Sequence, residues 1–196
     1  MDDRLTFEEE THTYRLDGVV VPSVTQVLDG LLTDYSKVPK HILEHAQQRG
    51  TAVHKATELY LQDDLDEASL DPEVAPYFYQ FVKWYKQSGF KVEHSELLVY
   101  SEKYRYAGAL DLFGKLAKSN ALIDLKTSRA LMPSTGPQLS AYWEAFKERT
   151  KTKLKPKRFG LHLQPDRYEL VPMNDTGDFS MFLSCLAIQK WRKKHG

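Results

Sequence analysis

The spacing of apolar and polar residues predicts strands at the start of the chain and a change to helices soon after. Residues 5–21 alternate between apolar and polar positions in two short runs. The dipeptide Asp17-Gly18 between them is typical of tight hairpin turns, so an N-terminal β-hairpin is predicted. Pro22-Ser23 then favours a short helix through Leu31, because a serine hydroxyl can accept hydrogen bonds from first-turn amides.

The next part of the chain has helical spacing. Apolar residues recur every three or four positions from Pro39 to about Gln62, which predicts a long amphipathic helix. The acidic stretch from Asp63 to Asp71 predicts a loop. A second helix, rich in aromatic residues, is predicted from Pro72 to Ser88, and Gly89 is suited to end it.

The second half of the chain is dominated by strand patterns. Three apolar runs separated by short polar connections predict strands at Lys91–Tyr100, Tyr104–Leu116 and Ala121–Thr127. Further along, the pattern predicts a helix at 138–149, a strand at 159–164, its hairpin partner at 168–172 and a closing helix at 179–194. This order predicts an α/β fold, with a mixed sheet flanked by helices. We expect one domain over residues 1–196, with the hairpin and first helices in 1–90 and the main sheet in 91–196.

Composition agrees with one globular domain of 196 residues, 41% hydrophobic and 28% charged. No apolar run reaches the length of a membrane span, and the acidic start Met1-Asp2-Asp3 does not resemble a secretory signal. We therefore expect no membrane partner. The single cysteine, Cys185, excludes an internal disulfide and a cysteine-cluster zinc site. It lies in an apolar helical stretch and is predicted to be buried, and such sparse cysteine use favours a reducing cytoplasm.

The zero net charge hides an asymmetry between the two parts of the chain. Residues 1–75 contain 6 Lys and Arg against 16 Asp and Glu, whereas the remainder contains 21 against 11. A basic tract at 147–158 has seven positive residues and one negative. It could bind phosphates without reading sequence, or it could be a solvated loop. The candidate phosphate contacts are Lys151, Lys153, Lys155, Lys157 and Arg158.

The candidate chemistry lies in the run Gly108-Ala109-Leu110-Asp111 and in Asp124-Leu125-Lys126. Twelve residues separate the two aspartates, including a turn-like Lys118-Ser119-Asn120. A hairpin could point both carboxylates at one metal ion, with Lys126 on the same strand face as Asp124. Two carboxylates and the backbone carbonyl of Leu125 would suit Mg²⁺ or Mn²⁺, as phosphodiester hydrolysis requires. The alternative is an ordinary salt bridge at the end of a hairpin.

Two further groups of residues flank this hairpin. Gly50, His54 and Glu58 recur every four residues and so share one face of the predicted helix. His54 could be a metal ligand or an ordinary surface or core histidine. Gln138 and Tyr142 are also four residues apart, on the helix after the second aspartate, where the alternatives are helix packing and solvent exposure.

The ordered set Gly50…His54, Gly108-x-x-Asp111, Asp124-x-Lys126 and Gln138-x-x-x-Tyr142 resembles the PD-(D/E)xK nuclease superfamily, in its RecB-like exonuclease branch. This branch includes the nuclease domains of RecB and AddAB, Cas4-like nucleases, phage and prophage exonucleases and the mitochondrial genome maintenance exonuclease. The run Tyr14-Arg15-Leu16-Asp17-Gly18 also resembles small phage members, so the resemblance spans roughly residues 12–142. It implies a restriction-endonuclease-like core.

The resemblance also implies a role for each matching residue. His54, Asp111 and Asp124 would be ligands of Mg²⁺ or Mn²⁺ and Lys126 the catalytic lysine, while Gln138 and Tyr142 would support the site or the DNA strand. Leu110 replaces the proline of the superfamily's name. Some relatives use an additional upstream acid, for which Glu58 and Glu96 both remain open. The cysteine set of an iron–sulfur cluster is missing, so none is expected.

The function implied is that of a metal-dependent DNA exonuclease in phage or prophage recombination, repair or processing, within the cytoplasm of a bacterial host cell. Its partners would be DNA and, in such a setting, a phage recombinase or single-strand-binding protein. Two alternatives stay open: a structure-selective or Cas4-like endonuclease, and a catalytically inactive DNA-binding accessory protein. The sequence leaves polarity, strand preference and oligomeric state undecided.

Overall fold

The computed structural model describes residues 4–196, which begin with a three-stranded antiparallel sheet. Its strands are β1 (Leu5–Glu8), β2 (Thr13–Leu16) and β3 (Val19–Val21). The predicted turn at Asp17-Gly18 joins β2 to β3, and both of its residues have positive φ, 54° and 74°. The predicted hairpin is therefore present, with β1 as an additional outer strand. The acidic start Met1-Asp2-Asp3 lies outside the described residues.

Three helices follow the N-terminal sheet. Helix α1 (Val24–Leu28) ends earlier than predicted, but Ser23 caps it as expected, accepting from the Gln26 amide at 3.0 Å. Helices α2 (Lys40–Leu61) and α3 (Ala75–Ser88) match the predicted helices closely, and Gly89 ends α3 in the left-handed conformation. The acidic connection between α2 and α3 contains one short 3₁₀ turn, Glu67–Ser69.

The main sheet has five strands, which lie in the order of the sequence. These are β4 (Lys91–Ser101), β5 (Tyr106–Leu116), β6 (Ser119–Lys126), β7 (Lys157–Leu163) and β8 (Tyr168–Pro172). Only the β6–β7 pair is parallel. A parallel pair requires a crossover, which helix α4 (Thr135–Thr150) supplies. Helix α5 (Asp178–His195) closes the chain.

Helices cover both faces of this sheet. One apolar core joins the sheet to α1, α4 and α5, and includes Leu122 and Phe182. A second core joins the opposite face to α2 and α3, and includes Phe78 and Ile123. The predicted fold class, a mixed sheet flanked by helices with an N-terminal hairpin, is confirmed, and Cys185 is buried as expected.

The N-terminal sheet packs against β4 and β5. Leu16 and Tyr14 form a small core with Tyr100 and Ala107. The amide of Ala107 also donates to the carbonyl of Pro22 at 3.1 Å, which fixes the chain to β5 as it leaves β3. The N-terminal sheet therefore packs beside β5, the strand that carries Asp111.

Two predicted boundaries in the second half were wrong. The β5–β6 turn consists of Ala117 and Lys118, because Leu116 already pairs with Ser119, so Ser119 and Asn120 belong to β6. Helix α4 begins at Thr135 rather than at the predicted Gln138. Proline lacks the amide hydrogen that first-turn positions leave unbonded, so Pro137 fits inside the first turn.

Among the helices formed by residues 4–196, none is both long enough and apolar enough to cross a membrane.

Candidate metal centre

Three carboxylates lie side by side on adjacent strands of the main sheet. In β4 and β5, Ser95 pairs with Leu112 and Leu97 with Leu110, so Glu96 and Asp111 lie between these pairs and face each other across the strands. The pairing of β5 with β6 ends immediately before Asp111 and Asp124, which are the next residues on the two strands. Sheet register alone therefore aligns one carboxylate from each of three neighbouring strands.

The sheet is irregular where these residues lie. Leu110 and Phe113 belong to the same core although they are three positions apart, so the strict alternation of strand β5 is broken at this point. Asp111 Oδ2 accepts a hydrogen bond of 2.6 Å from the amide of Leu125. This side chain thus replaces the backbone partner that β6 lacks there, and the bond fixes the orientation of the Asp111 carboxylate.

Helix α2 brings His54 to the same carboxylates. His54 Nδ1 lies 3.2 Å from Glu96 Oε1 and 3.7 Å from Asp111 Oδ1, while Nε2 lies 3.2 Å from the carbonyl oxygen of Leu125. His54, Glu96 and Asp111 could together bind a metal ion. Each offers one ligand atom, and the three atoms lie within 4.8 Å of one another. The side chains of His54 and Glu96 are 28% exposed and that of Asp111 only 7%. The group is therefore open to solvent on one side.

Asp124 is held by a second set of partners. Its side chain is 1% exposed, and Lys126 Nζ lies 2.6 Å from Oδ2. The amide nitrogen of Gln138 donates to Oδ1 at 2.9 Å and to the Tyr142 hydroxyl at 3.1 Å. The structure therefore brings together Asp124, Lys126, Gln138 and Tyr142, which the sequence placed on one strand and the next helix.

The glycine of the Gly108-x-x-Asp111 run has a steric role. A β-carbon at position 108 would lie 2.6 Å from Cε1 of Tyr142, which is closer than real contacts allow. Only glycine lets α4 pack its tyrosine this close to β5. Gly50 is less critical, because a β-carbon there would lie 3.4 Å from the Thr127 hydroxyl. Both glycines nevertheless mark places where helices approach the strands of the centre.

Burial and mutual repulsion favour protonation of the aspartates. Burial raises the pKa of Asp124 to about 6, against the opposing effect of Lys126. Burial also raises the pKa of Asp111, and the neighbouring Glu96 adds to the shift. Burial alone would lower the pKa of His54, but Asp111 and Glu96 outweigh it and raise that pKa to about 9. The pocket therefore carries more negative charge than its own side chains can compensate.

A divalent cation fits this set of residues. Carboxylate oxygens and an imidazole nitrogen are donors that Mg²⁺ and Mn²⁺ accept, and positive charge is what the buried aspartates lack. Asp124 Oδ2 is buried without a well-aligned hydrogen bond, although the Lys126 ammonium is close. The Leu125 carbonyl, which was predicted to be a ligand, accepts from His54 here. Metal binding would require His54 to lose its second proton.

Of the two upstream acids left open by the sequence, Glu96 and not Glu58 lies at this group. Glu58 is on the same helix as His54, but it pairs with Lys55 at 2.8 Å and accepts from Gln62 at 3.3 Å. Glu96 reaches the centre from a strand, with a left-handed backbone, φ 46°. That conformation is uncommon for glutamate and could not be foreseen from sequence spacing.

The basic tract lies away from the carboxylates. Lys151, Lys153 and Lys155 are exposed in the connection between α4 and β7, and the exposed Lys157 pairs with Ala121, three residues before Asp124 on β6. Arg158 differs, because its guanidinium lies 3.0 Å from the Asp178 carboxylate and donates to the carbonyls of Gly136 and Asp175. Its guanidinium thus contacts other residues of the protein, unlike the exposed lysines of the tract.

Tyr14 of the N-terminal sheet also lies near the carboxylates and was not predicted to have a role. Burial raises its pKa to about 12, and the charges of Glu96 and Asp111 add to the shift. Its ring stacks on Phe7 with centroids 4.5 Å apart. The alternation in β2 could have indicated that Tyr14 points inward, but not that the charges of Glu96 and Asp111 would act on it.

Comparisons with known proteins show the fold. No protein-family model and no curated protein matches the chain. A solved structure of a candidate exonuclease from Eubacterium rectale is similar, with a TM-score of 0.50 and 11% identity, over 74% of this chain and 65% of that one. A crystal structure named SSO0001 is similar over 88% of this chain and 76% of that one, with 14% identity and a TM-score of 0.44. The chain therefore spans less than two thirds of the Eubacterium protein.

Proposed function

We propose that this protein is a metal-dependent DNA exonuclease of the RecB-like branch of the PD-(D/E)xK superfamily. Its setting would be the recombination, repair or processing of phage or prophage DNA in the cytoplasm of a bacterial cell. The description of the Eubacterium rectale protein as a candidate exonuclease supports this proposal. The observation that carries it is the convergence of His54, Glu96 and Asp111 beside the Asp124–Lys126 pair.

Each residue has a distinct part in the proposed reaction. A bound Mg²⁺ or Mn²⁺ would polarise the phosphate and lower the pKa of the attacking water. His54, Glu96, Asp111 and Asp124 would hold that ion, with Asp111 fixed in position by the Leu125 amide. Gln138 keeps Asp124 oriented from the opposite side.

Lys126 supplies the fixed positive charge of the site. Burial would lower the pKa of its ammonium, but Asp124 and Asp111 outweigh burial and raise it above the usual value, so Lys126 is charged. A charged Lys126 cannot act as a base until it loses a proton. Its part is therefore to orient water or to stabilise the negative charge that develops on the phosphate oxygens.

The test is degradation of linear DNA labelled at its 5′ or 3′ end, in Mg²⁺ or Mn²⁺ and again with EDTA. We expect progressive loss of nucleotides from one end with metal and none with EDTA. Equal cutting of closed circular DNA would instead favour the structure-selective or Cas4-like endonuclease. DNA binding without any cleavage would favour the inactive accessory protein.

A lysine variant tests the assigned site. Lys126→Met should retain metal and DNA binding and lose at least about a hundredfold in cleavage rate, because it removes the charge opposite the phosphate. Lys115→Ala is the matched control, since Lys115 lies on the neighbouring strand and its ammonium donates to Asn120 rather than to a carboxylate of the centre. Undiminished cleavage by Lys126→Met would contradict the role of Lys126.

A further inference from the structure

Arg49 has no part in the reaction described above, yet its guanidinium lies beside the strand that carries Lys126. Its NH2 group donates to the carbonyl oxygen of Thr127 at 3.4 Å, a long hydrogen bond. Thr127 directly follows Lys126, and Gly50, the next residue of α2, approaches the Thr127 hydroxyl. Arg49 is thus held at the end of β6, five residues before His54 on α2.

The hydrogen-bonding capacity of Arg49 is largely unused. Its Nε is buried and has no hydrogen-bond partner, and the guanidinium lies over the Tyr77 ring, 4.8 Å from the centroid. Its NH1 group makes no hydrogen bond within residues 4–196 and is not among the buried unsatisfied atoms, so it reaches solvent. The NH1 group can therefore donate a charge-assisted hydrogen bond to a phosphate oxygen that approaches from solvent.

Two other cations near the centre are paired with carboxylates of the protein. Lys126 is paired with Asp124 at 2.6 Å, and Lys55 with Glu58 at 2.8 Å. Arg49 has no carboxylate within ion-pairing distance in the part of the chain that is described. A DNA strand entering the centre brings negative phosphates on both sides of the bond to be cleaved. Of these three basic side chains, Arg49 is the one that pairs with no carboxylate within residues 4–196, so its charge can meet a phosphate that flanks the cleaved bond.

We propose that Arg49 binds a backbone phosphate of the DNA strand, adjacent to the phosphate held at the metal centre. Tyr77 fixes the plane of the guanidinium, and Thr127 fixes its distance from Lys126. This assignment rests on the proposed function, because it takes DNA as the substrate of the neighbouring centre. It adds a strand-positioning residue to that centre.

The experiment measures affinity for fluorescent single-stranded and duplex oligonucleotides by anisotropy, with EDTA present, across a series of NaCl concentrations. Arg49→Ala should weaken binding about tenfold and reduce the slope of log affinity against log salt by about 0.7 for single strands or 0.9 for duplex. Arg49→Gln can keep a donor to Thr127 and loses the charge, so it should show the same change in slope. Arg49→Lys should restore the slope but only part of the affinity, because it lacks the planar fork.

Lys55→Ala is the matched control, an exposed cation on the same helix, and should leave affinity and slope unchanged. Kinetics with metal should show a raised KM and a retained kcat for Arg49→Gln. An unchanged slope and KM with a lowered kcat would overturn the assignment and make Arg49 a structural support of the Thr127 turn. If Arg49→Ala does not fold, the salt slopes and KM values of Arg49→Gln and Arg49→Lys decide whether Arg49 binds a phosphate.

The two proposals can fail separately. If the wild-type protein binds DNA with the Arg49-dependent slope but cleaves nothing in Mg²⁺ or Mn²⁺, the nuclease proposal fails and the assignment of Arg49 as a phosphate ligand stands. If cleavage occurs and the slope is independent of Arg49, only the Arg49 assignment fails. Absence of DNA binding by the wild-type protein would overturn both.

Discussion

The candidate metal centre and the basic tract are both rich in charge, but their charged side chains differ in burial and in partners. Asp124 is 1% exposed and contacts both Lys126 and Gln138. The four lysines of the α4–β7 connection and the start of β7, residues 151, 153, 155 and 157, are exposed and form no ion pair within residues 4–196. The effect of a charge that is held by partners depends on its position, because its neighbours fix it. The effect of exposed charges depends mainly on how many there are, because water and salt screen each of them. Substitutions should therefore produce large, specific losses in the centre and graded losses in the tract.

The largest effect is expected at Asp111. Asp111→Ala removes a proposed metal ligand and the acceptor of the Leu125 amide, so the proposed cleavage should fall by about a thousandfold and metal affinity at least tenfold. Asp111→Asn is the matched variant, because it can keep an acceptor for Leu125 but loses the charge. Titration calorimetry with Mn²⁺ and a cleavage assay measure the two effects. Metal affinity that both variants preserve would remove Asp111 from the set of ligands.

Arg158 tests whether the basic tract is one functional unit. Its side chain is 12% exposed and paired with Asp178, so Arg158→Ala should lower the free energy of unfolding by about 2–4 kcal/mol and hardly change DNA affinity. Urea denaturation measures the first quantity and anisotropy the second. If Arg158→Ala keeps normal stability and binds DNA more weakly, Arg158 contacts DNA, as the sequence predicted.

The exposed lysines should give a smaller and additive effect. Replacing Lys151, Lys153, Lys155 and Lys157 together by alanine should reduce the salt slope by about 3 if all four contact phosphates. The pairs 151/153 and 155/157, replaced separately, should each contribute about half. Stability should be unaffected, since these side chains are exposed. A slope equal to that of the wild type would show that the tract is an ordinary solvated segment.

The smallest effect is expected at Gln138, which contacts Asp124 without being a ligand. Gln138→Ala leaves Asp124 Oδ1 without its donor, so we expect kcat to fall about tenfold with DNA affinity unchanged. Gln138→Glu should be worse than alanine, because it adds a carboxylate beside a buried one. A loss as large as that of Asp111→Ala would mean that Gln138 does more than orient its neighbour.

Regular periods predicted which candidate residues share a face, while the roles of those residues were implied by the resemblance described in the sequence analysis. Spacing by four placed His54 on one helix face and joined Gln138 to Tyr142, and spacing by two placed Lys126 beside Asp124. These relations depend only on local backbone geometry. The same reasoning proposed Glu58 on the helix face of His54, where the structure gives it other partners.

The remaining residues could not be predicted because they depend on packing between distant elements or on backbone irregularities. Glu96 reaches the centre through a left-handed backbone, and Tyr14 is buried by the docking of the N-terminal sheet. Ala117 forms a turn with φ 52° although alanine is not typical of that position. In each case the local sequence gives a weak or misleading signal, and long-range packing decides.

The left-handed backbone of Glu96 has a consequence for attempts to stabilise this protein. A glutamate at φ 46° costs of order 1 kcal/mol that a glycine would not incur. Glu96→Gly should therefore fold at least as well as the natural chain while losing a carboxylate from the centre. Selection for stability alone would favour replacement of Glu96. A laboratory evolution scheme that screens only for heat resistance would therefore yield a more stable protein whose centre has lost a carboxylate.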